Sequence, residues 1–157
     1  SMTGNKIVVS GEPRGVWHDV IVADALKPGV QVQIKATALV NGVLTVETYA
    51  PGTDGKRRVP MILCEDELQG AIYSTTYTAG SRGRVYIPLP GELVNILLAN
   101  ISGTGDDHPI GERVIADTGT GKFIVTTGSP ESEPFQLLEA VTDPVADTWA
   151  LAMATGQ

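Results

Sequence analysis

The chain has 157 residues and a net charge of −7, with 18% charged and 42% hydrophobic residues. This length suits one compact core, and the apolar fraction is too high for a disordered chain. No apolar run approaches the roughly 18 residues of a membrane-spanning helix, so we expect no membrane partner. The acidic excess falls in residues 92–157 and no large basic surface is evident, which disfavours nucleic acid as a partner.

The composition predicts an all-β fold. Val, Ile and Thr are abundant, while 18 Gly and 10 Pro interrupt every long stretch that might form a helix. Many short apolar runs separated by turn residues are typical of a β-sandwich or β-barrel. We therefore expect an extended N-terminal arm over residues 1–16 that orders only against a partner, a single β domain over 17–157, and little helix.

The first elements of the domain are a strand and a tight turn. Residues 16–25 alternate as in a strand, with Val20 and Val22 on one face and Trp17 on the other. The sequence Leu26-Lys27-Pro28-Gly29 then predicts a type II turn, because Pro fixes φ at its second position and Gly tolerates positive φ at its third.

The strongest local signal is a hairpin. Residues 30–40 and 43–49 are β-prone and are separated by Asn41-Gly42, the dipeptide that favours a two-residue type I′ turn. Such a turn fixes the register, and the predicted cross-strand pairs are Val40 with Val43, Leu39 with Leu44 and Ala38 with Thr45.

The remaining strands are predicted from short apolar runs between turn signals. Residues 65–70 form an acidic turn or a single helical turn that ends at Gly70. Polar loops are expected at 50–58 and 100–109. The strands are predicted at 59–64, 72–77, 83–89, 91–99, 114–116, 123–126, 135–140 and 149–154.

One motif resembles a phosphate-binding loop but lacks its essential residues. In Asp117-Thr118-Gly119-Thr120-Gly121-Lys122-Phe123 the position after Lys122 is Phe, where a magnesium-binding Ser or Thr is required, and Ala116 stands at the first Gly position. No helical run follows. We interpret the segment as a Gly-rich hairpin loop.

No other constellation favours catalysis or a cofactor. Asp106, Asp107 and His108 are adjacent, but His18 is the only other His, and the pattern matches neither a calcium loop nor a zinc site. The lone Cys64 lies in an apolar run and is interpreted as a small buried hydrophobe in a protein made in a reducing compartment. We expect no enzyme activity, no metal, no cofactor and no small-molecule substrate.

Four side chains are candidates for contact with a protein partner. Trp17 follows the arm, and two roles are open for it: packing in the core, or anchoring an interface, where Trp is favoured. Arg57 and Arg58 end the loop 50–58 and can face an acidic surface, although ordinary solubility explains them equally well. Arg14 in the arm is the fourth candidate.

The order of short motifs adds a family resemblance. Over about residues 25–155 the chain resembles the capsid decoration (cement) proteins of tailed bacteriophages. The motifs that carry the resemblance are Lys27-Pro28-Gly29, Pro60 to Gly70, Tyr77-Thr78-Ala79-Gly80, Pro90-Gly91-Glu92 and Ile110-Gly111-Glu112.

This resemblance implies a function and a partner. Proteins of this family are β-sandwich or β-barrel protomers that trimerise on the outside of an expanded icosahedral shell and clamp neighbouring coat subunits. The implied partner is the major capsid protein, the implied assembly a homotrimer, and the implied location the outer capsid surface of a virion assembled from protein made in the host cytoplasm.

The alternative is a carrier module of the biotinyl-lipoyl type or another small β-fold binding module. The carrier is suggested by Gly91-Glu92 and Gly111-Glu112, each of which precedes an apolar run. Such a carrier needs a modified Lys on an exposed hairpin tip, and Lys122 is the residue available in a Gly-rich loop.

Overall fold

A computed structural model describes residues 6–50, 59–99, 107–125, 134–142 and 147–156. The fold is all-β, as predicted. Within the described ranges, no helix is long and apolar enough to cross a membrane. The described elements are the strands β1 Val16–Val22, β2 Gln31–Ile34, β3 Leu44–Thr48, β4 Met61–Cys64, β5 Ser81–Ile87, β6 Leu93–Leu98, β7 Arg113–Ala116, β8 Phe123–Val125, β9 Phe135–Leu137 and β10 Thr148–Ala154, with one 3-10 helix, Glu67–Gln69.

The strands form two closed five-stranded barrels. The first barrel has the order β1-β3-β2-β4-β5 and closes by antiparallel pairing of β1 with β5. The second barrel has the order β10-β6-β8-β7-β9 and closes through β10 and β9. Closure leaves no unpaired sheet edge within either barrel. The sequence predicted a sandwich or a barrel, and the barrel is the form observed.

Alternation along the strands fills the first barrel. Val20 and Val22 of β1 point inward with Val32, Val46 and Val85 of the neighbouring strands, and all five are buried. The outer face of the same sheet packs against the second barrel at β4 and β5. Ile62, Cys64 and Tyr86 join the core cluster of that barrel, which is why all four residues of β4 are buried.

The turn at residues 26–29 connects the two barrels through hydrogen bonds and close packing. Gly29 has a φ of 95°, in agreement with the predicted turn, and its N–H donates to Leu63 O while Leu97 N–H donates to Gly29 O. The indole N–H of Trp149 donates to Pro28 O at 2.9 Å. A Cβ atom at Gly29 would lie 2.8 Å from the Trp149 indole nitrogen, so the close approach requires glycine.

The predicted hairpin forms, but its register changes along the strands. Asn41 and Gly42 both have positive φ, and Val40 and Val43 exchange two backbone hydrogen bonds, as predicted for a type I′ turn. Further from the turn, Ile34 pairs with Val46. Residues 36–39 therefore leave the ladder as a bulge. The predicted pairs Leu39–Leu44 and Ala38–Thr45 are wrong for this reason.

Most of the other strands lie where they were predicted. Gly70 ends the 3-10 helix in the left-handed conformation, with a φ of 77°. The exception is the segment 72–77, which is not a strand. Tyr77 instead packs into the end of the first barrel, where its hydroxyl donates to Cys64 O at 2.6 Å.

The arm residues that the structure describes pack on the domain itself. Ile7 is fully buried, Val8 bridges Val94 of β6, and Val9 N–H donates to Leu93 O at 3.0 Å. The arm was expected to order only against a partner and to contribute little to folding. That expectation is wrong for residues 6–15, because a short apolar run suffices to add a bridge to β6 and to fill the core of the second barrel.

Candidate functional site

A groove of about 630 Å³ runs between the arm, β1, β5 and the 3-10 helix. Trp17 and Arg84 line one wall, and Leu68 projects from the helix on the other. The full lining set is Lys6, Val8, Val9, Ser10, Pro13, Trp17, Glu65, Glu67, Leu68 and Arg84. The groove thus joins apolar side chains with charges of both signs, and of these residue types Trp and Arg are the ones enriched in protein interfaces.

The structure shows the first of the two roles that the sequence left open for Trp17, packing against the core, and the interface role stays a prediction. Its ring lies 4.6 Å from that of Tyr86, and it packs against the core of the second barrel while remaining partly exposed. The Arg84 guanidinium lies 4.5 Å from the centre of the Trp17 ring. A cation over an aromatic face is attracted to the ring, and this contact favours the observed arrangement of both side chains.

Arg84 and Lys6 of the groove form only long ion pairs. Arg84 lies 3.8 Å from Asp19, whose side chain is 75% exposed, and Lys6 lies 3.9 Å from Glu67. Exposed pairs at this distance contribute little to stability. Their hydrogen-bonding groups are therefore accessible to a partner at small cost.

Leu68 is the most exposed large apolar side chain in the described residues, at 95%. It stands between the groove and a neighbouring depression of about 360 Å³, which is also lined by Asp66 and Arg82. A single exposed Leu is common on protein surfaces, so Leu68 is notable for its place beside the groove and not for its exposure alone.

The other predicted contact residues lie apart from the groove or outside the described ranges. Arg14 is exposed, its backbone N–H donates to the Glu92 carboxylate at 2.9 Å, and its guanidinium lies 3.7 Å from Glu12. It is adjacent in sequence to Pro13, which lines the groove. Arg57 and Arg58 lie outside the described residues.

Lys122 does not project from a hairpin tip. The Gly-rich loop does join β7 to β8, as predicted, but Lys122 lies at the foot of β8, where its ammonium is 2.9 Å from Asp147 Oδ1. Asp147 Oδ2 also binds Lys27 of the first barrel at 2.6 Å. An amine paired in this way is a poor attachment site for a prosthetic group, so the geometry weighs against the carrier alternative.

Of the predicted loop 100–109, residues 100–106 lie outside the described ranges, and the described end is held by backbone pairing at His108. His108 is 1% exposed and bridges Val141, with mutual backbone hydrogen bonds of 2.7 and 2.8 Å. Across the described ranges no three His, Cys, Asp or Glu side chains gather as metal ligands. Cys64 is fully buried, and burial raises its pKa well above the ordinary value. The negative charge of Glu65 raises the pKa further, by a smaller amount.

Sequence reasoning identified Trp17 but missed the rest of the groove. Val8, Leu68 and Arg84 are far apart in the chain and meet only because the arm lies along β6 and β5 pairs with β1. The one available signal was Leu68 itself, a lone apolar residue inside the acidic turn Glu65-Asp66-Glu67-Leu68-Gln69-Gly70.

Comparison with known proteins relates the fold to one phage component. No family model matches this chain, and neither does any curated protein. Among solved structures, the chain is similar to the N base of the head fiber protein gp8.5 of bacteriophage phi29, with a TM-score of 0.54 and 7% sequence identity. The similarity covers 91% of this chain and 96% of that chain. At this identity it establishes a shared fold that extends over both barrels.

Proposed function

We propose that the chain is a virion structural protein that binds the outer surface of a phage head and stabilises the shell by bridging coat subunits. The observation that carries the proposal is the two-barrel fold, which aligns over nearly its full length with a protein named as a head fiber base. The order of motifs that resembles capsid decoration proteins is a property of the sequence and supports the proposal separately from the fold.

The proposal includes the assembly, the partner and the location. The partner is the major capsid protein, the protein acts as a homotrimer without enzymatic chemistry, and the location is the outer capsid surface after synthesis in the host cytoplasm. The net charge of −7 is consistent with synthesis in the cytoplasm before assembly, because many copies must remain soluble until they bind the capsid.

We assign capsid contact to the Trp17 groove. Trp17 and Arg84 offer an aromatic and cationic wall, and Leu68 offers an apolar side chain that loses its water only when a partner covers it. Aromatic and Arg residues dominate the energetics of such contacts. Arg14, exposed near the same arm, is placed at the rim of the contact.

Leu68→Asp tests this assignment better than Trp17→Ala. Trp17 packs against the core, so its loss alters stability as well as binding, whereas Leu68 is 95% exposed and its replacement leaves the core intact. Ile110→Asp is the matched control, because Ile110 is 66% exposed and does not line the groove.

The assay is co-sedimentation of purified protein with expanded, undecorated heads of the phage that encodes it. We expect Leu68→Asp to weaken binding by about thirtyfold, the effect of losing a contact of roughly 2 kcal/mol, and Ile110→Asp to bind like the unmodified protein. Normal binding by Leu68→Asp would remove the groove from the interface. Absence of binding by the unmodified protein would reject the function itself.

A further inference from the structure

One end of the first barrel is left open by the residues that the structure describes. Its inward-facing side chains continue past the buried core and reach solvent at one end of the strands, where they line an apolar depression of about 250 Å³. We call this depression the mouth. It is lined by Ile34, Leu44, Val59, Met61, Ile87 and His18, with Gln33.

The opposite end of the same barrel is closed. Tyr77 is buried there, and Leu26 packs beside it, with Tyr77 N–H donating to Leu26 O at 2.8 Å. Leu97 and Trp149 of the second barrel complete the closure. The mouth is thus the one end of this barrel that the described residues leave uncovered.

Exposed apolar side chains concentrate around the mouth. Of the nine large hydrophobic residues that are exposed in the described ranges, five lie at this end of the first barrel. Val16 precedes His18 on β1, Val59 precedes β4, and Ile34 ends β2. The other two, Leu39 and Val40, belong to the tip of the β2–β3 hairpin and are 56% and 49% exposed.

The hairpin tip, residues 38–43, is a convex apolar surface, whereas the mouth is a concave one. It extends beyond Ile34 and Leu44, which belong to the wall of the mouth, and the paired hydrogen bonds between Val40 and Val43 stiffen its turn. The tip does not fill the mouth of its own chain, because both remain exposed together. The described residues therefore include a convex and a concave apolar surface, and neither surface is covered by another described part of the chain.

We infer that the tip of one copy of this chain inserts Leu39 and Val40 into the mouth of the next copy. The mouth is smaller than the roughly 300–1,000 Å³ typical of small-molecule pockets, which favours side chains as its occupant. Among the described residues, no Asp, Glu, Lys or Arg lines it, so no charge on the described wall of the mouth opposes the approach of an apolar tip.

Such a contact joins two different surfaces and must close into a ring or continue as a filament. The inference rests on the proposed homotrimer for the size of the ring and specifies the interface that builds it. Three tip-to-mouth contacts close the trimer. The Trp17 groove is lined by none of the residues of the mouth or the tip and stays available for the capsid.

The oligomeric state in the absence of capsids tests the interface. We expect sedimentation equilibrium to give a trimer for the unmodified protein and for Ile110→Asp. Leu39→Asp and Ile34→Asp, on the tip and the wall, should each weaken trimer formation by at least thirtyfold per contact. A monomeric unmodified protein, or a Leu39→Asp variant that remains trimeric, would overturn the inference.

Cross-linking distinguishes the tip-to-mouth contact from a symmetric one. Co-expressed chains carrying either Leu39→Cys or Val59→Cys should be joined to each other by a short bismaleimide, because Cys64 is buried and gives no background. Cross-links only between chains of the same kind would contradict the inference. Capsid binding is measured separately, so failure of this interface and failure of the proposed function give different results.

Discussion

The hydroxyl of Tyr86 lies 2.7 Å from both carboxylate oxygens of Glu92, and it also accepts the backbone N–H of Gly15 at 2.7 Å. Glu92 accepts two further backbone N–H groups, from Leu89 and Arg14. One carboxylate thus connects β5, the turn before β6 and the end of the arm. Burial, with a further contribution from Glu92, raises the pKa of Tyr86 to about 12, so the phenol remains a donor throughout the neutral range.

Stability should fall on acidification through Glu92. Burial alone would raise its pKa, but the hydrogen bonds from Tyr86 and the backbone outweigh burial, and the pKa lies below the usual 4.5. A carboxylate with a lowered folded-state pKa stabilises the fold above its unfolded-state pKa, and that stability is lost as pH falls through the folded-state value. We expect urea midpoints to drop below about pH 4.5.

The variant Glu92→Gln tests whether Glu92 causes this loss of stability in acid. The amide cannot accept the same set of hydrogen bonds, so the variant should lose about 2 kcal/mol of unfolding free energy at pH 7. It should also show a shallower decline between pH 5 and pH 3. An unchanged slope would place the acid sensitivity at other carboxylates, such as Asp24 and Asp147, whose pKa values are also lowered.

Gly15→Ala should detach the arm. A Cβ at Gly15 would collide with the Ile87 carbonyl oxygen and lie 2.6 Å from the Tyr86 hydroxyl, so the Glu92 network cannot close around it. We expect a loss of about 1–3 kcal/mol and a lower Tm in calorimetry. Gly11→Ala is the matched control, because no heavy atom lies within 4 Å of the added Cβ. Equal Tm values for the two variants would show that the arm contributes nothing to the fold.

Asp147→Asn should weaken the connection between the barrels. Asp147 binds Lys27 on one side and Lys122 on the other. The hydrogen bond from Lys27 has the largest effect on the pKa of Asp147 and lowers it, and the hydrogen bond from Lys122 lowers it further. Because the three side chains are partly exposed, we expect a modest loss of about 1 kcal/mol that diminishes in high salt. Chemical denaturation at low and high ionic strength measures it, and a loss that is independent of salt would contradict an electrostatic role.

Cys64 should report global unfolding. It is fully buried, and its raised pKa keeps the thiol protonated, so a thiol reagent should not react with the native protein. We expect the rate of labelling to track the unfolding rate as urea is added. Rapid labelling in buffer at neutral pH would mean that the β4 core opens locally.

Local features of the fold were predictable from the sequence, whereas closure of the barrels was not. The Asn41-Gly42 turn and the Gly70 helix end follow from backbone sterics, and those predictions are confirmed. The division into two barrels depends on long-range pairs such as Val20 with Leu44, in a parallel β1–β3 ladder that no local pattern encodes. The burial of Ile7 was missed for the same reason, because its hydrogen-bond partners, Glu65 and Asn95, lie far along the chain.

The most direct test of the central claim is electron cryo-microscopy of expanded, undecorated phage heads incubated with the purified protein. The account predicts additional density on the outer surface at regular positions between coat subunits, into which the two barrels fit with the Trp17 groove facing the shell. The decorated heads should also resist heat better as occupancy rises. Heads that remain bare at saturating protein, or decorated heads that break at the same temperature as bare ones, would contradict the account.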